Sequence, residues 1–186
     1  MIATSLALCT LLKDSPPPSR VLDERGSFLG PWLHTCLLNG KPSLGHVFVE
    51  VARLLCVLYR NLELEASCMV KLLWVVERAI QTTEDFQLHS SNLRKTLLVA
   101  ALVVSKEHFD EFTRVNDLRD ALPGFQLNDA AELEAAFLDL VDWKAVCNAD
   151  AWAKYHTGLQ WLLYENSVVL QELVQSHHLD ELLPTS

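Results

Sequence analysis

Residues 97–104 read LLVAALVV, a run of eight apolar side chains. In an α-helix these side chains would cover every face, and a helix that is apolar all round has to be surrounded by other helices. The run is too short to span a bilayer, for which a helix needs about twenty apolar residues. It therefore predicts the central helix of a helical bundle, in which Ala100 and Ala101 would let neighbouring helices approach closely.

Gly and Pro are absent for a long distance on both sides of this run. Neither occurs between His46 and Leu122, whereas most of the glycines and prolines fall between Pro16 and Gly45. Turns and hairpins draw on Gly and Pro, so their absence favours helices that are joined by short polar turns. No segment alternates cleanly between apolar and polar residues, as a half-buried strand would. The sequence therefore predicts an all-α fold.

Helical spacing of apolar residues and the positions of capping residues divide the chain into segments. Ser90, Ser91 and Asn92 are good caps for the start of the central helix, and Asn148 and Asp150 can cap a later one. The predicted helices cover 43–60, 64–81, a stretch that opens after 90–92 and runs to 108, 129–142, a stretch that opens at 148–150, and 167–182.

The residues before these helices form a leader. Residues 1–12 are mostly apolar, but no basic residue precedes Lys13, as the start of a signal peptide would require. We therefore expect a short helix or docking arm there. One or both of this segment and the loop with Phe28, Trp32 and Leu33 should lie against the bundle or a partner, because they are too apolar to be free in solvent. The predicted domains are the leader 1–42, a helical box 43–165, and a C-terminal helix and tail 166–186.

Charge and cysteine content narrow the functional classes. The formal net charge is −9 and no basic block exists, which argues against a nucleic-acid partner and against an anionic membrane surface. The five cysteines are an odd number without a CxxC motif. That pattern is typical of reduced thiols in an intracellular protein and argues against a disulfide framework or a zinc site.

No catalytic motif is present. The chain lacks a P-loop, a GxSxG motif, an HExxH motif and a glycine-rich phosphate loop. His177 and His178 are adjacent but have no carboxylate at metal-binding spacing, and His108 beside Asp110 and Glu111 is most simply a charged helix end. We therefore predict a protein that is not an enzyme and that needs no metal or cofactor.

Residues 92–156 carry several short motifs in a fixed order after the apolar run: Ser105-Lys106, Leu133-Glu134, Phe137-Leu138, Asp142-Trp143 and Tyr155. In this order and with these gaps, the segment resembles a cyclin box. It is most similar to the single-box cyclins of the Pho80-like and plant P/U type. The resemblance covers about a third of the chain in detail, and no second box is present.

The resemblance implies a cyclin-box fold, a five-helix bundle around a buried central helix. It also implies a non-catalytic regulatory subunit that binds and activates a cyclin-dependent-like protein kinase. Lys106 and Glu134 match the family's interface Lys and Glu, which bond to kinase backbone, so they are the predicted kinase-binding residues. Without the resemblance, Lys106 would be a cation at a helix C-terminus and Glu134 an exposed surface carboxylate.

Some features depart from the family and keep an alternative open. An aromatic residue usually follows the Lys, but this chain has Glu107 and His108 there. The alternative is a cyclin-fold adaptor or scaffold that binds a protein other than a kinase. A DNA-binding cyclin fold is disfavoured by the acidic charge, and an all-α enzyme is disfavoured by the lack of a catalytic constellation.

Overall fold

The computed structural model describes residues 1–12, 44–109 and 127–176, and these residues form α-helices without any strand. The predicted all-α fold is therefore confirmed for this part of the chain. The helices are α1 (Ile2–Leu11), α2 (Leu44–Asn61), α3 (Ala66–Thr82), α4 (Ser90–His108), α5 (Leu127–Leu140), α6 (Ala149–Glu165) and α7 (Ser167–Ser176).

Helix α4 is the buried helix that its sequence predicts. Every side chain from 97 to 104 is at most 5% exposed, and Leu97, Ala100 and Ala101 are fully buried. The helix packs against α2, α3 and α5. Burying a Val or Leu side chain contributes about 1.5–3 kcal/mol to folding, so this short run supplies much of the driving force for the bundle.

Helix α3 shares the central position with α4. It packs against α1, α5 and α6 as well as α4. Its buried side includes Leu72, Val75 and Val76, which are completely covered. The sequence predicts a single rod with its neighbours packed around it, whereas the structure places α1 and α6 on α3. The difference arises because α3 has a second apolar face, and the polar residues of this helix interrupt the apolar pattern from which that face could be recognised in the sequence.

Helix α1 belongs to the same core. It packs against α2, α3 and α6, and its Leu8 is fully buried. The prediction that residues 1–12 form a helix lying against the bundle is confirmed. The same prediction for Phe28, Trp32 and Leu33 falls outside the described residues, as do His177 and His178.

The start of α4 differs from its prediction. His89, and not residues 90–92, is the N-cap. Asn92 caps the helix from inside its first turn, where its Oδ1 accepts the His89 backbone N–H at 2.8 Å and its Nδ2 donates to the Gln87 carbonyl at 2.8 Å. At α6 the predicted cap is confirmed, because the Asn148 side chain accepts the Ala151 backbone N–H at 2.8 Å.

Membrane-spanning length and cysteine state were assessed over residues 1–12, 44–109 and 127–176. None of their helices has both the length and the apolar character needed to cross a membrane. The cysteines among them are buried free thiols: Cys9, Cys56, Cys68 and Cys147.

Candidate functional site

Lys106 and Glu134, the two predicted binding residues, are brought together by the packing of α4 against α5. Lys106 lies in the last turn of α4, and its Nζ donates to both carboxylate oxygens of Glu134, at 2.8 Å to Oε1 and 2.6 Å to Oε2. Their side chains are 31% and 18% exposed. Glu134 is thus not the exposed carboxylate that the sequence suggests without the resemblance, because it is bonded and mostly covered.

The Lys106–Glu134 pair keeps capacity for further hydrogen bonds. An ammonium group has three N–H donors, of which this contact uses two, and a carboxylate has about four acceptor positions. A partner could therefore place a backbone carbonyl against Lys106 or a backbone N–H against Glu134 without separating the pair. Because of this contact, reversal of either charge alone would place two like charges against each other within the molecule.

A second polar cluster fastens the end of α4 to the start of α3. Lys71 bonds to Glu107 with 2.5 Å between Nζ and Oε2. His108 lies between Lys71 and Glu65, with its Nδ1 3.3 Å from the Lys71 Nζ and its Nε2 3.1 Å from the Glu65 Oε2. Because an ammonium only donates, Nδ1 is the acceptor and Nε2–H donates to Glu65. The residues that depart from the cyclin pattern, Glu107 and His108, thus hold this helix end in place.

The turn after α5 presents an exposed tryptophan. Trp143 is 66% exposed, and it follows Asp142 in the left-handed region, with φ values of 54° and 55°. Such a conformation is unfavourable for residues with a Cβ and costs roughly 1–2 kcal/mol for each one. The indole is nevertheless held, because its Nε1–H donates to Asp139 at 2.8 Å and its backbone N–H donates to the Leu138 carbonyl at 2.8 Å.

Side chains from the end of α3 and from its C-cap residue, Thr83, hold the same turn in place. Arg78 donates through Nε to the Val141 carbonyl at 3.2 Å, and Thr83 donates through Oγ1 to the Leu140 carbonyl at 3.1 Å. These bonds satisfy carbonyls at the end of α5 and over-determine the strained backbone. The turn also explains why α5 ends at Leu140 and not at the predicted position, 142.

The candidate surface follows α5 and has two parts that lie apart. Its polar part, the Lys106–Glu134 pair, lies where the end of α4 meets α5, close to the start of α3. Its apolar part, Trp143 with Val146, which is 69% exposed, follows α5 beside the other end of α3. In the sequence Trp143 stands out only as part of a family motif, because neither its exposure nor its backbone strain has a local signature. The Lys144 ammonium, hydrogen-bonded to Asp142, lowers the pKa of that carboxyl.

Among the described residues, no group of three or more His, Cys, Asp or Glu side chains is arranged to hold a metal ion. His156 is stacked on Trp152, with ring centroids 4.7 Å apart, and Cys147 contacts the Asn148 carbonyl at 3.8 Å.

Comparison with curated proteins gives partial likenesses, of which one is described here. The chain is 28% identical over 102 residues to the Nuc-1 negative regulatory protein preg of Neurospora crassa. The matched region is 55% of this chain and 21% of that protein, so this chain spans about a fifth of the length of its relative. No family model matches the sequence, and no solved structure matches it.

Proposed function

We propose that this chain is a cyclin-type regulatory subunit that binds and activates a cyclin-dependent-like protein kinase inside the cell. The observation that carries the proposal is the Lys106–Glu134 pair at the junction of α4 and α5. Both residues come from the motifs that resemble the cyclin box, and they lie side by side although 28 positions separate them in the chain.

The helical arrangement supports the same function. A cyclin box surrounds its third helix with the others. Here α4, the third helix after the predicted leader, buries its side chains from 97 to 104 and packs against α2, α3 and α5. The curated relative is named as a regulatory protein, which agrees with a regulatory and non-catalytic function here. That likeness covers about a fifth of the relative, and the proposal goes beyond it by assigning a specific surface of this chain to kinase binding.

The proposed mechanism uses the surface as a rigid template. The end of α4 and the length of α5 receive the regulatory helix of the kinase and hold it inward. Lys106 and Glu134 bond to backbone groups beside that helix, and Trp143 supplies an apolar anchor. Because the turn that carries Trp143 is already fixed by Asp139, Arg78 and Thr83, little conformational entropy is lost when the anchor is buried.

The first test reverses the Lys106–Glu134 pair in two stages. Lys106→Glu or Glu134→Lys alone places like charges together and should cost about 1–2 kcal/mol of stability for this partly covered site. The double variant with both changes restores an internal pair but presents the opposite polarity to a partner. We expect it to regain thermal stability yet bind the kinase more weakly by about 2–5 kcal/mol.

The measurements are thermal unfolding followed by circular dichroism, and capture of cyclin-dependent kinases from native lysate identified by mass spectrometry. Glu172→Lys, a matched charge reversal on the exposed surface of α7, serves as the control and should bind like the parent. If the folded double variant captures the kinase as well as the parent does, the assignment of this surface is wrong. If the parent captures no such kinase, the adaptor alternative replaces the proposal.

A further inference from the structure

The end of α3 carries a threonine that is followed by two acidic residues. Thr82 is the last residue of α3, and the sequence continues Thr83-Glu84-Asp85. Asp85 therefore stands three positions after the Thr82 hydroxyl. No other serine or threonine of the chain has Asp or Glu at that position, although the chain is acidic overall. The pattern is typical of substrates of acidophilic protein kinases, whose basic pocket binds a carboxylate at this distance from the phosphate acceptor.

The segment from Thr82 to Asp85 is accessible. The side chains of Thr82 and of both acidic residues are exposed, whereas Phe86, which comes next, is buried. Helix α3 ends at Thr82, and residues 83–89 are not helical. Because the last turn of a helix frays readily, residues 82–85 can take the extended form in which protein kinases bind their substrates, while the core stays in place.

The turn that carries Trp143 depends on the residues beside Thr82. Arg78, one helical turn earlier on the same face of α3, donates through Nε to the Val141 carbonyl at 3.2 Å. Thr83 donates through Oγ1 to the preceding carbonyl of the turn at 3.1 Å. Since the backbone of this turn has two consecutive residues with positive φ, it keeps its shape only while such bonds hold it.

A phosphate on Thr82 would meet mostly negative charge. It adds about −1.5 to −2 charges at pH 7. It would stand at the C-terminal end of α3, where the helix dipole disfavours anions, and close in sequence to the carboxylates of Glu84 and Asp85. Arg78 is the cation one turn away. A guanidinium pairs with phosphate through two parallel N–H donors, and turning towards the phosphate takes its Nε away from the Val141 carbonyl.

We propose that Thr82 is phosphorylated by an acidophilic protein kinase and that the phosphate loosens the turn that carries Trp143. The Thr82 hydroxyl oxygen bonds to the γ-phosphorus of ATP as the bond from this phosphorus to the oxygen of ADP breaks. ADP leaves with the bonding electrons, and the hydroxyl proton passes to the catalytic base of the modifying kinase. Only the consequence for binding rests on the proposed function: a loosened Trp143 loses more entropy when the partner kinase buries it, so that kinase binds less tightly.

The test treats the full chain with casein kinase 2, ATP and Mg²⁺, and tandem mass spectrometry locates the phosphate. We expect one phosphate, at Thr82. Thr82→Val, which keeps the shape of the side chain without its hydroxyl, should take up none at this position. Asp85→Asn should slow the modification at least tenfold. Glu84→Gln is the matched control, because it removes the same charge one position nearer to Thr82, and its rate should stay within threefold of the parent's.

Hydrogen–deuterium exchange followed by mass spectrometry measures the looseness of the turn. In the phosphorylated chain the amides of residues 141–143 should exchange at least tenfold faster than in the unmodified chain, while those of residues 97–104 should be unchanged. Thr82→Val should show no change on the same treatment. Arg78→Gln, which removes the guanidinium, should speed the exchange of the same amides without any phosphate. Capture of the partner kinase from lysate should fall at least threefold on phosphorylation.

Three results would overturn the proposal. One is a Thr82 that stays unmodified in the folded chain. Another is a modification that Asp85→Asn does not slow, since the carboxylate would then not be recognised. The third is unchanged exchange at residues 141–143 after phosphorylation, which would show that Arg78 stays on the turn. If exchange rises but kinase capture does not fall, the modification and its effect stand, and the result counts against the placement of Trp143 in the proposed kinase surface.

Discussion

Trp143 and Lys106 have side chains that are partly or mostly exposed and are nevertheless held in place by hydrogen bonds. Lys106 is held by two hydrogen bonds to Glu134, and Trp143 is held by one from its indole to Asp139. Exposed aromatic side chains with a fixed orientation are frequent anchors of protein interfaces, because they bury a large area and lose little entropy. Single-residue changes at Trp143 can therefore separate binding from folding.

Trp143→Ala should weaken kinase binding at least tenfold, as expected for truncation of an aromatic anchor of an interface. Its effect on stability should be small, within about 1 kcal/mol, because most of the side chain is exposed in the free protein. Tyr164→Ala is the matched control, since Tyr164 is 78% exposed on α6 away from the surface. Equal binding by the parent and Trp143→Ala, measured by titration calorimetry, would remove Trp143 from the interface.

Helix α4 marks what can be predicted from sequence at the scale of an element. Its burial follows directly from the run 97–104, because an all-apolar helix has no other stable position in water. Its contacts are a different matter. The bond from Lys106 to Glu134 depends on how the end of α4 lies against α5, and no local pattern encodes the packing of helices that are distant in the chain. The cap at His89 was missed because Asn92 acts from inside the first turn.

Leu98→Asp tests the central position of α4. Leu98 is 2% exposed, so the new carboxylate would be buried in an apolar environment without a partner. A cost of more than about 4 kcal/mol is expected, a large part of the usual 5–15 kcal/mol of total stability, and the domain should unfold or melt far below the parent. Val103→Asp should behave alike, whereas Leu98→Met should retain most of the stability. An aspartate variant with the parent's melting temperature would exclude a central position for this helix.

At the scale of the whole molecule, the core is continuous from α1 to α7. Leu8 of α1, Leu159 of α6 and Leu170 of α7 belong to the same buried cluster as the central helices. Sequence reasoning anticipated that residues 1–12 would lie against the bundle, because they are too apolar to remain in water. It did not predict that α1 and α6 would pack against α3. The apolar pattern of an amphipathic helix shows that one face is buried, but it does not show which helix covers that face.

The same continuous core makes the molecule sensitive to alkaline pH. Burial raises the pKa of the Cys9 thiol from 9.0 to about 12, and burial also raises the pKa values of Cys56, Cys68 and Cys147. These groups are neutral when protonated, and the unfolded chain loses their protons first. Their contribution to stability is therefore complete below pH 9 and is lost as the pH rises from 9 towards 12.

Urea unfolding under reducing conditions at pH 7.5, 9, 10 and 11 should show this loss. We expect the midpoint to be nearly constant up to about pH 9 and then to fall, because each strongly shifted group removes up to about 1.4 kcal/mol of unfolding free energy per pH unit. Cys9→Ala should start from a lower stability at pH 7.5, since it removes a buried sulfur, but should decline less steeply above pH 9. A midpoint that rises between pH 9 and 11, or an equal slope in the parent and Cys9→Ala, would show that the Cys9 thiol is not held protonated by the core.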